Sequence, residues 1–291
     1  ADLEARVWSA LRLRPSRKVA EWTLANLLDK QGDHASADAH RAVAAALDAN
    51  YKDARRVARA VFGGTAAALR AVSNAQPLGL TIGSTAHKQV ALTFDDGPNP
   101  LKTPALLDAL DKADALATFF VVGSRAEAAP ELIQRMAARG DDVEDHSYTH
   151  PNMAQSPPAV AEAEILRTSI IIRALSGRQP RFFRPPGGNR DLVVYQLSRA
   201  YGQTVALWTV DALHYEEVGT PQSLISYVMA HVKPGCIVLM HNGMDTTTAA
   251  VPGLIAALRA KGYEPVTLTQ LTSGTAPIKA VSIKKPRPAM P

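Results

Sequence analysis

Two periodicities divide the 291-residue chain. Over roughly the first 75 residues, apolar side chains recur at three- and four-residue steps among Ala, Leu, Arg, Lys, Glu and Asp, the pattern of amphipathic helices. From residue 88 the pattern changes to short apolar runs separated by longer helix-like stretches. Strands are expected at 90–94, 117–122, 142–144, 181–184, 204–208, 237–240 and 264–267, and helices at 103–111, 129–139, 157–175, 191–200, 221–231 and 251–261. Regular alternation of β with α, with strands that are mostly continuous apolar runs, predicts a parallel sheet covered by helices. Seven strands suit a barrel, yet the segment is shorter than a usual eightfold one. The expected fold class is therefore α/β, a distorted or abbreviated (β/α) barrel of about seven strands preceded by a small all-α region.

Ser73-Asn74-Ala75-Gln76-Pro77, followed by Gly79 and Gly83, has turn and linker chemistry and marks a boundary. The expected organisation is a helical N-terminal domain over 1–80, a β/α domain over 86–272, and a basic tail over 273–291 carrying Pro286, Pro288 and Pro291. Residues 18–51 resemble a single tetratricopeptide-type helical hairpin, with the turn at Gly32-Asp33-His34 and small residues at Ala37 and Ala44. An ordinary helical hairpin accounts for the same residues, because one such repeat cannot close a core alone.

At 46% hydrophobic and 20% charged residues, the chain can bury a large core and is not disordered throughout. Cys236 is the single cysteine, which excludes an intrachain disulfide and any Cys-rich zinc module. A bound metal must then be held by His, Asp or Glu. The net charge of +5 is unevenly spread: residues 1–86 hold 12 Lys/Arg against 8 Asp/Glu, 87–272 hold 16 against 19, and 273–291 hold 4 against none. The large middle is not basic, and aromatics are only 5%, so nucleic acid is not the expected partner. An anionic cell-wall surface, or a protein partner met through the helical N-terminus, fits the charged appendages better. No apolar run approaches the ~20 residues of a transmembrane helix. The start at Ala1-Asp2-Leu3-Glu4 lacks the layout of a signal peptide but is what removal of one would leave.

The unusual polar residues gather just after the expected strands, where barrel enzymes place their chemistry. They are Asp95-Asp96-Gly97-Pro98, His146-Ser147-Tyr148-Thr149-His150-Pro151, Arg184-Pro185-Pro186-Gly187-Gly188, Trp208-Thr209-Val210-Asp211 and Leu239-Met240-His241-Asn242. Singly, each has a plain alternative: Asp96-Gly97 is a common turn pair, Arg184 with two prolines a rigid loop, and His241 a satisfied strand-end histidine. A calcium loop is disfavoured because Leu106 stands where a bidentate Glu is needed. Pro151 pushes His150 away from helical geometry, so the two histidines belong to a turn rather than to a metalloprotease helix. Jointly the five clusters point to metal-assisted hydrolysis, since one Asp and two His leave an open coordination position for water.

In order, these clusters resemble the five motifs of the polysaccharide deacetylases, the NodB-homology group of carbohydrate esterase family 4, over residues 90–272. The resemblance implies Asp95 as general base and Asp96, His146 and His150 as metal ligands. It implies Arg184 as the residue that orients and tunes the base, and His241 as general acid. It also implies substrate contacts at Gly187, through its backbone N–H, and at Trp208, Leu239 and Tyr148. The implied cofactor is a divalent metal, Zn2+ first, with Co2+, Ni2+ or Mn2+ as alternatives. The implied activity removes N-acetyl groups from N-acetylglucosamine residues of peptidoglycan, a chitin-like polymer or an exopolysaccharide, releasing acetate. Such substrates imply a periplasmic, secreted or envelope-associated protein.

Two departures stand out. Many members continue the fourth motif as Asp-x-x-Asp-Trp, whereas here Asp211-Ala212-Leu213 runs into His214-Tyr215. The carboxylate that would raise the pKa of His241 is missing from its usual place, leaving Asp211 as the candidate support. Gly187 also replaces an aromatic residue common in the third motif. The alternatives are an O-deacetylase of the same family, acting on a polymer such as acetylxylan, and a non-catalytic glycan-binding protein.

Overall fold

The computed structural model describes residues 79–274 together with His34, which is helical and exposed. The rest of the expected helical N-terminal domain, including its tetratricopeptide-like hairpin, and the tail from residue 275 lie outside the described residues. The elements are β1 (Gln89–Gly97), α1 (Thr103–Lys112), β2 (Thr118–Val121), α2 (Gly123–Ala128), α3 (Pro130–Arg139) and β3 (Asp142–Asp145). There follow α4 (Pro158–Ser176), β4 (Phe182–Phe183), α5 (Leu192–Ala200), β5 (Thr204–Val205), β6 (Val210–Asp211) and α6 (Leu213–Glu217). The last are α7 (Pro221–His231), β7 (Ile237–His241), α8 (Asp245–Ala260), β8 (Glu264–Val266) and α9 (Leu268–Ser273).

The strands form one sheet in the order β5-β4-β3-β2-β1-β7-β6, with β8 also paired to β1. β1 runs parallel to β2, β7 and β8, and the pairs β3–β4, β4–β5 and β6–β7 are parallel too. This is the expected α/β class with the β-then-α order of an abbreviated barrel. One expected strand differs. The run 204–208 holds only β5, and the separate two-residue β6 follows it at the other end of the strand order, with Trp208 between the two. Thr204-Val205 pairs with β4 and Val210-Asp211 with β7. The apolar pattern is continuous through this stretch, so only the pairing partners reveal the break.

By contact density the described chain divides into two compact bodies. One comprises 80–121, 128–143 and 207–274. Its centre is β1, in which Val90, Ala91, Leu92 and Phe94 are fully buried, because a central parallel strand is covered on both faces. The one hydroxyl in that run is satisfied: Thr93 Oγ1 donates to the Val238 carbonyl at 2.7 Å. Phe94 stacks on Phe119 at 5.4 Å between ring centroids. In α8, the Thr246-Thr247-Thr248 run and Pro252 delay the expected start to 251, yet the helix begins at Asp245. Burial of Thr247, Ala250, Val251 and Leu254 outweighs the weak local propensity.

The other body comprises 79, 122–127 and 144–206 of the described chain. Its core is α4, where Ile165, Leu166, Ile171 and Ile172 are fully buried, as is Phe183 of β4. α4 also buries two carboxylates, Glu162 and Glu164. The Tyr201 hydroxyl donates to Glu162 at 2.6 Å.

Phe119 is wholly removed from water in β2 and stacked on a second ring. Phe119→Ala is therefore expected to lower unfolding free energy by about 3–5 kcal/mol, through lost burial and a cavity left behind. Denaturant titration followed by circular dichroism checks this; a loss below 1 kcal/mol would mean that β2 repacks around the vacancy.

Candidate active site

The first cluster ends β1. Asp95 is 3% exposed, and its carbonyl accepts from the Asn242 N–H at 2.8 Å. Parallel register sets Asp95 opposite His241, the last residue of β7. Asp96 turns to φ 68°, a left-handed conformation that Asp tolerates better than most residues. Gly97 follows because a Cβ there would overlap the Asn242 side chain. Asn242 Oδ1 in turn accepts from the Thr103 hydroxyl at 2.8 Å, which ties the start of α1 to the end of β7.

The second cluster lies in the irregular turn after β3, as Pro151 leads one to expect. His146 is buried and His150 exposed, and their rings meet edge to face with centroids 5.0 Å apart. His146 Nδ1 sits 2.6 Å from the Arg184 carbonyl oxygen, which can only accept, so Nδ1 carries the proton and Nε2 keeps its lone pair. Asp96, His146 and His150 each offer one ligand atom, and all three atoms lie within 4.8 Å of one another. Tyr148 points elsewhere: its hydroxyl donates to Glu127 at 2.7 Å, and the Arg167 guanidinium lies 3.6 Å from its ring centroid. Its ring is held by α2 and α4.

The third cluster follows β4. Arg184 is fully buried; its Nε donates to the Ala206 carbonyl at 3.1 Å and its backbone N–H to that of Asp145 at 2.9 Å. Gly187 is exposed at φ 59° in a single 3-10 turn, Pro186–Gly188. Leu239 is buried in β7, opposite Asp211, and Trp208 is half-buried.

The support of His241 is not Asp211. That residue is exposed, and its Oδ1 accepts from the Leu213 N–H at 3.0 Å, starting the turn into α6. Glu216 holds His241 instead. It is 2% exposed, with Oε2 2.7 Å from His241 Nδ1 and Oε1 2.7 Å from the His241 backbone N; Oε1 also accepts from the Thr247 hydroxyl. Sequence reasoning missed Glu216 because the carboxylate stands two residues beyond His214, where one turn of α6 brings it inward. Burial alone would lower the His241 pKa from 6.5. The hydrogen bond and charge of Glu216, followed by the charges of Asp95 and Asp96, win and push it up to about 9. His241 is thus protonated at neutral pH.

The folded-state value lies above the ordinary one, so this pair adds stability that is fully present below pH 6.5 and lost as pH rises through about 9. Glu216→Gln is expected to lower the His241 midpoint by about 1–3 units, the span of a neighbouring opposite charge. A histidine NMR titration measures it, and an unmoved midpoint would leave the raised value to Asp95 and Asp96 alone.

Comparison with known proteins places this geometry. The family model described as polysaccharide deacetylase matches residues 82–206. A chitooligosaccharide deacetylase of a Bradyrhizobium species is 38% identical over 199 residues, 63% of this chain and 90% of that protein. The solved peptidoglycan deacetylase PdaC of Bacillus subtilis matches with a TM-score of 0.60 at 36% identity, covering 65% of this chain and 92% of that one. A family 4 carbohydrate esterase pseudoenzyme from Bacillus anthracis matches with a TM-score of 0.64 at 29% identity, covering 68% of this chain and 70% of that one. A shared fold alone leaves chemistry open. With the five clusters seated at their strand ends and a relative matched over nine-tenths of its length, the chain belongs to the polysaccharide deacetylase family, the NodB-homology group of carbohydrate esterase family 4.

Proposed function

We propose that the chain is a divalent-metal-dependent N-deacetylase acting on N-acetylglucosamine residues of a polysaccharide outside the cytoplasm, through the domain at 86–272. The observation that carries this reading is the convergence of Asp96, His146 and His150 within 4.8 Å, beside the register that sets Asp95 against His241. One carboxylate and two imidazoles, with the proton of His146 already placed on Nδ1, suit a zinc-like ion and leave positions for water and substrate. Cobalt, nickel and manganese accept the same donors. Bound there, such an ion supplies Lewis acidity to an acyl oxygen and to water.

The chain's own residues divide the remaining work. A carboxylate engaged as a ligand is a poor base, so Asp95, next to the ligand Asp96, takes the proton of the attacking water. Arg184, fully buried, orients Asp95. The Gly187 N–H donates to the developing oxyanion. His241 is protonated when it meets the departing amine, because Glu216 holds the charge on its ring, and it delivers the proton from Nε2. Trp208 and Leu239 form the apolar wall for the acetyl methyl. The products are the free amine and acetate. Similar proteins act on chitooligosaccharides and on peptidoglycan, which supports an N-acetylated glycan over an O-acetylated one. The pseudoenzyme among the structural neighbours keeps a non-catalytic glycan binder as the second reading. Intact base, ligands and acid in this chain favour catalysis.

Asp95→Asn is expected to retain metal and lose turnover by about 10²–10⁴-fold, the usual worth of a general base. His146→Ala is expected to lose the metal itself, read by elemental analysis. Acetate release from chitooligosaccharides, from acetylxylan and after EDTA treatment separates the readings. Preference for acetylxylan would replace the N-deacetylase with the O-deacetylase, and no release from any substrate would leave the binder.

A further inference from the structure

The turn that carries His146 and His150 has no strand or helix to satisfy its backbone, yet its polar groups are nearly all paired. The Ser147 N–H donates to Asp145 Oδ1 at 2.9 Å and the His150 N–H to Ser147 Oγ at 3.1 Å. The carbonyls of Ser147 and Tyr148 accept from the N–H groups of Gly123 at 2.9 Å and Ser124 at 3.0 Å, at the entry to α2. Gly123 is required there, because a Cβ would overlap the Thr168 hydroxyl and the Tyr148 ring. The two N–H groups midway between the histidines, those of Tyr148 and Thr149, both donate to Glu164 Oε2 at 2.7 Å. Glu164 Oε1 takes the Thr149 hydroxyl at 2.8 Å.

Glu164 is an unusual residue for its place. It is 8% exposed on α4, and among the described residues no cationic side chain pairs with it. A buried carboxylate without a cation is costly unless neutral donors surround it, and here all three donors come from Tyr148 and Thr149, two of the three residues between His146 and His150. Ser147 and His150 both hold positive φ, 66° and 64°, a strained backbone that persists only where its surroundings over-determine it. We propose that Glu164 is the positioning residue of the metal site: its carboxylate clasps Tyr148 and Thr149 and thereby holds the imidazoles of His146 and His150 at ligand spacing.

This assignment rests on the metal-dependent reading above. A glutamine keeps one oxygen for the two N–H groups but puts an NH2 donor where the Thr149 hydroxyl now finds an acceptor, and it removes the negative charge that strengthens all three bonds. In the full chain, Glu164→Gln is expected to weaken Zn2+ binding by about 10–100-fold, the range for loss of a partner that orients ligands, read by competition with a chromogenic chelator. Glu162→Gln is the control: that neighbouring α4 carboxylate holds Tyr201, so its loss should lower the melting temperature and leave zinc affinity unchanged. If Glu164→Gln does not fold, Thr149→Val removes one donor of three and is expected to weaken zinc several-fold. A folded Glu164→Gln with wild-type zinc affinity, or, where that variant does not fold, an unchanged affinity in Thr149→Val, overturns the clasp alone. Wild-type protein that binds no zinc overturns the metal reading and the clasp with it.

Discussion

A carboxylate or imidazole removed from water must find a partner, and the ends of the strands are built around that constraint. Asp95, His146, Arg184 and Glu216 are each less than 4% exposed. Each buried polar side chain is therefore held in one orientation by what it bonds, and the same bonds set its chemistry. The Arg184 carbonyl fixes the tautomer of His146, and Glu216 grips both the ring and the backbone of His241. Orientation and protonation are two results of one interaction.

That arrangement depends on strand register. In a parallel sheet the carboxyl ends of neighbouring strands lie together, so a residue at the end of β1 meets one at the end of β7 without any specific attraction between them. Asp95 faces His241 because Ala91 faces Ile237 and Phe94 faces Met240, all buried or nearly so. The apolar core sets the spacing of the polar end. Asn242 then locks both strands by donating to the Asp95 carbonyl and filling the space left by Gly97.

The fold was largely legible. Continuous apolar runs marked β1, β2 and β7 because these are covered on both faces, and the helices α1, α3, α4, α5 and α7 begin and end within a residue or so of their expected limits. Local signals failed where pairing or packing decided the outcome. β6 has two residues and no pattern of its own, and the first turn of α8 forms from a threonine run because Thr247 and Ala250 are buried.

For the site, the sequence by itself determined the inventory: paired aspartates, a turn with two histidines, an arginine before two prolines and a strand-end histidine, each type chosen by the chemistry it can perform. It also showed that the carboxylate expected to support the acid is missing from its usual place. Only the tertiary structure decided what stands in for it. Asp211 is closer to the motif in sequence but caps a turn in solvent, whereas Glu216 is carried inward by α6 onto His241. Glu164 is equally silent in sequence, a glutamate in a helix like many others, until α4 lays it against the turn that carries His146 and His150. Residue types are local properties, readable one at a time; which carboxylate reaches which donor depends on three-dimensional proximity across sequence separations of 15 to 25 residues, and the folded backbone alone sets that.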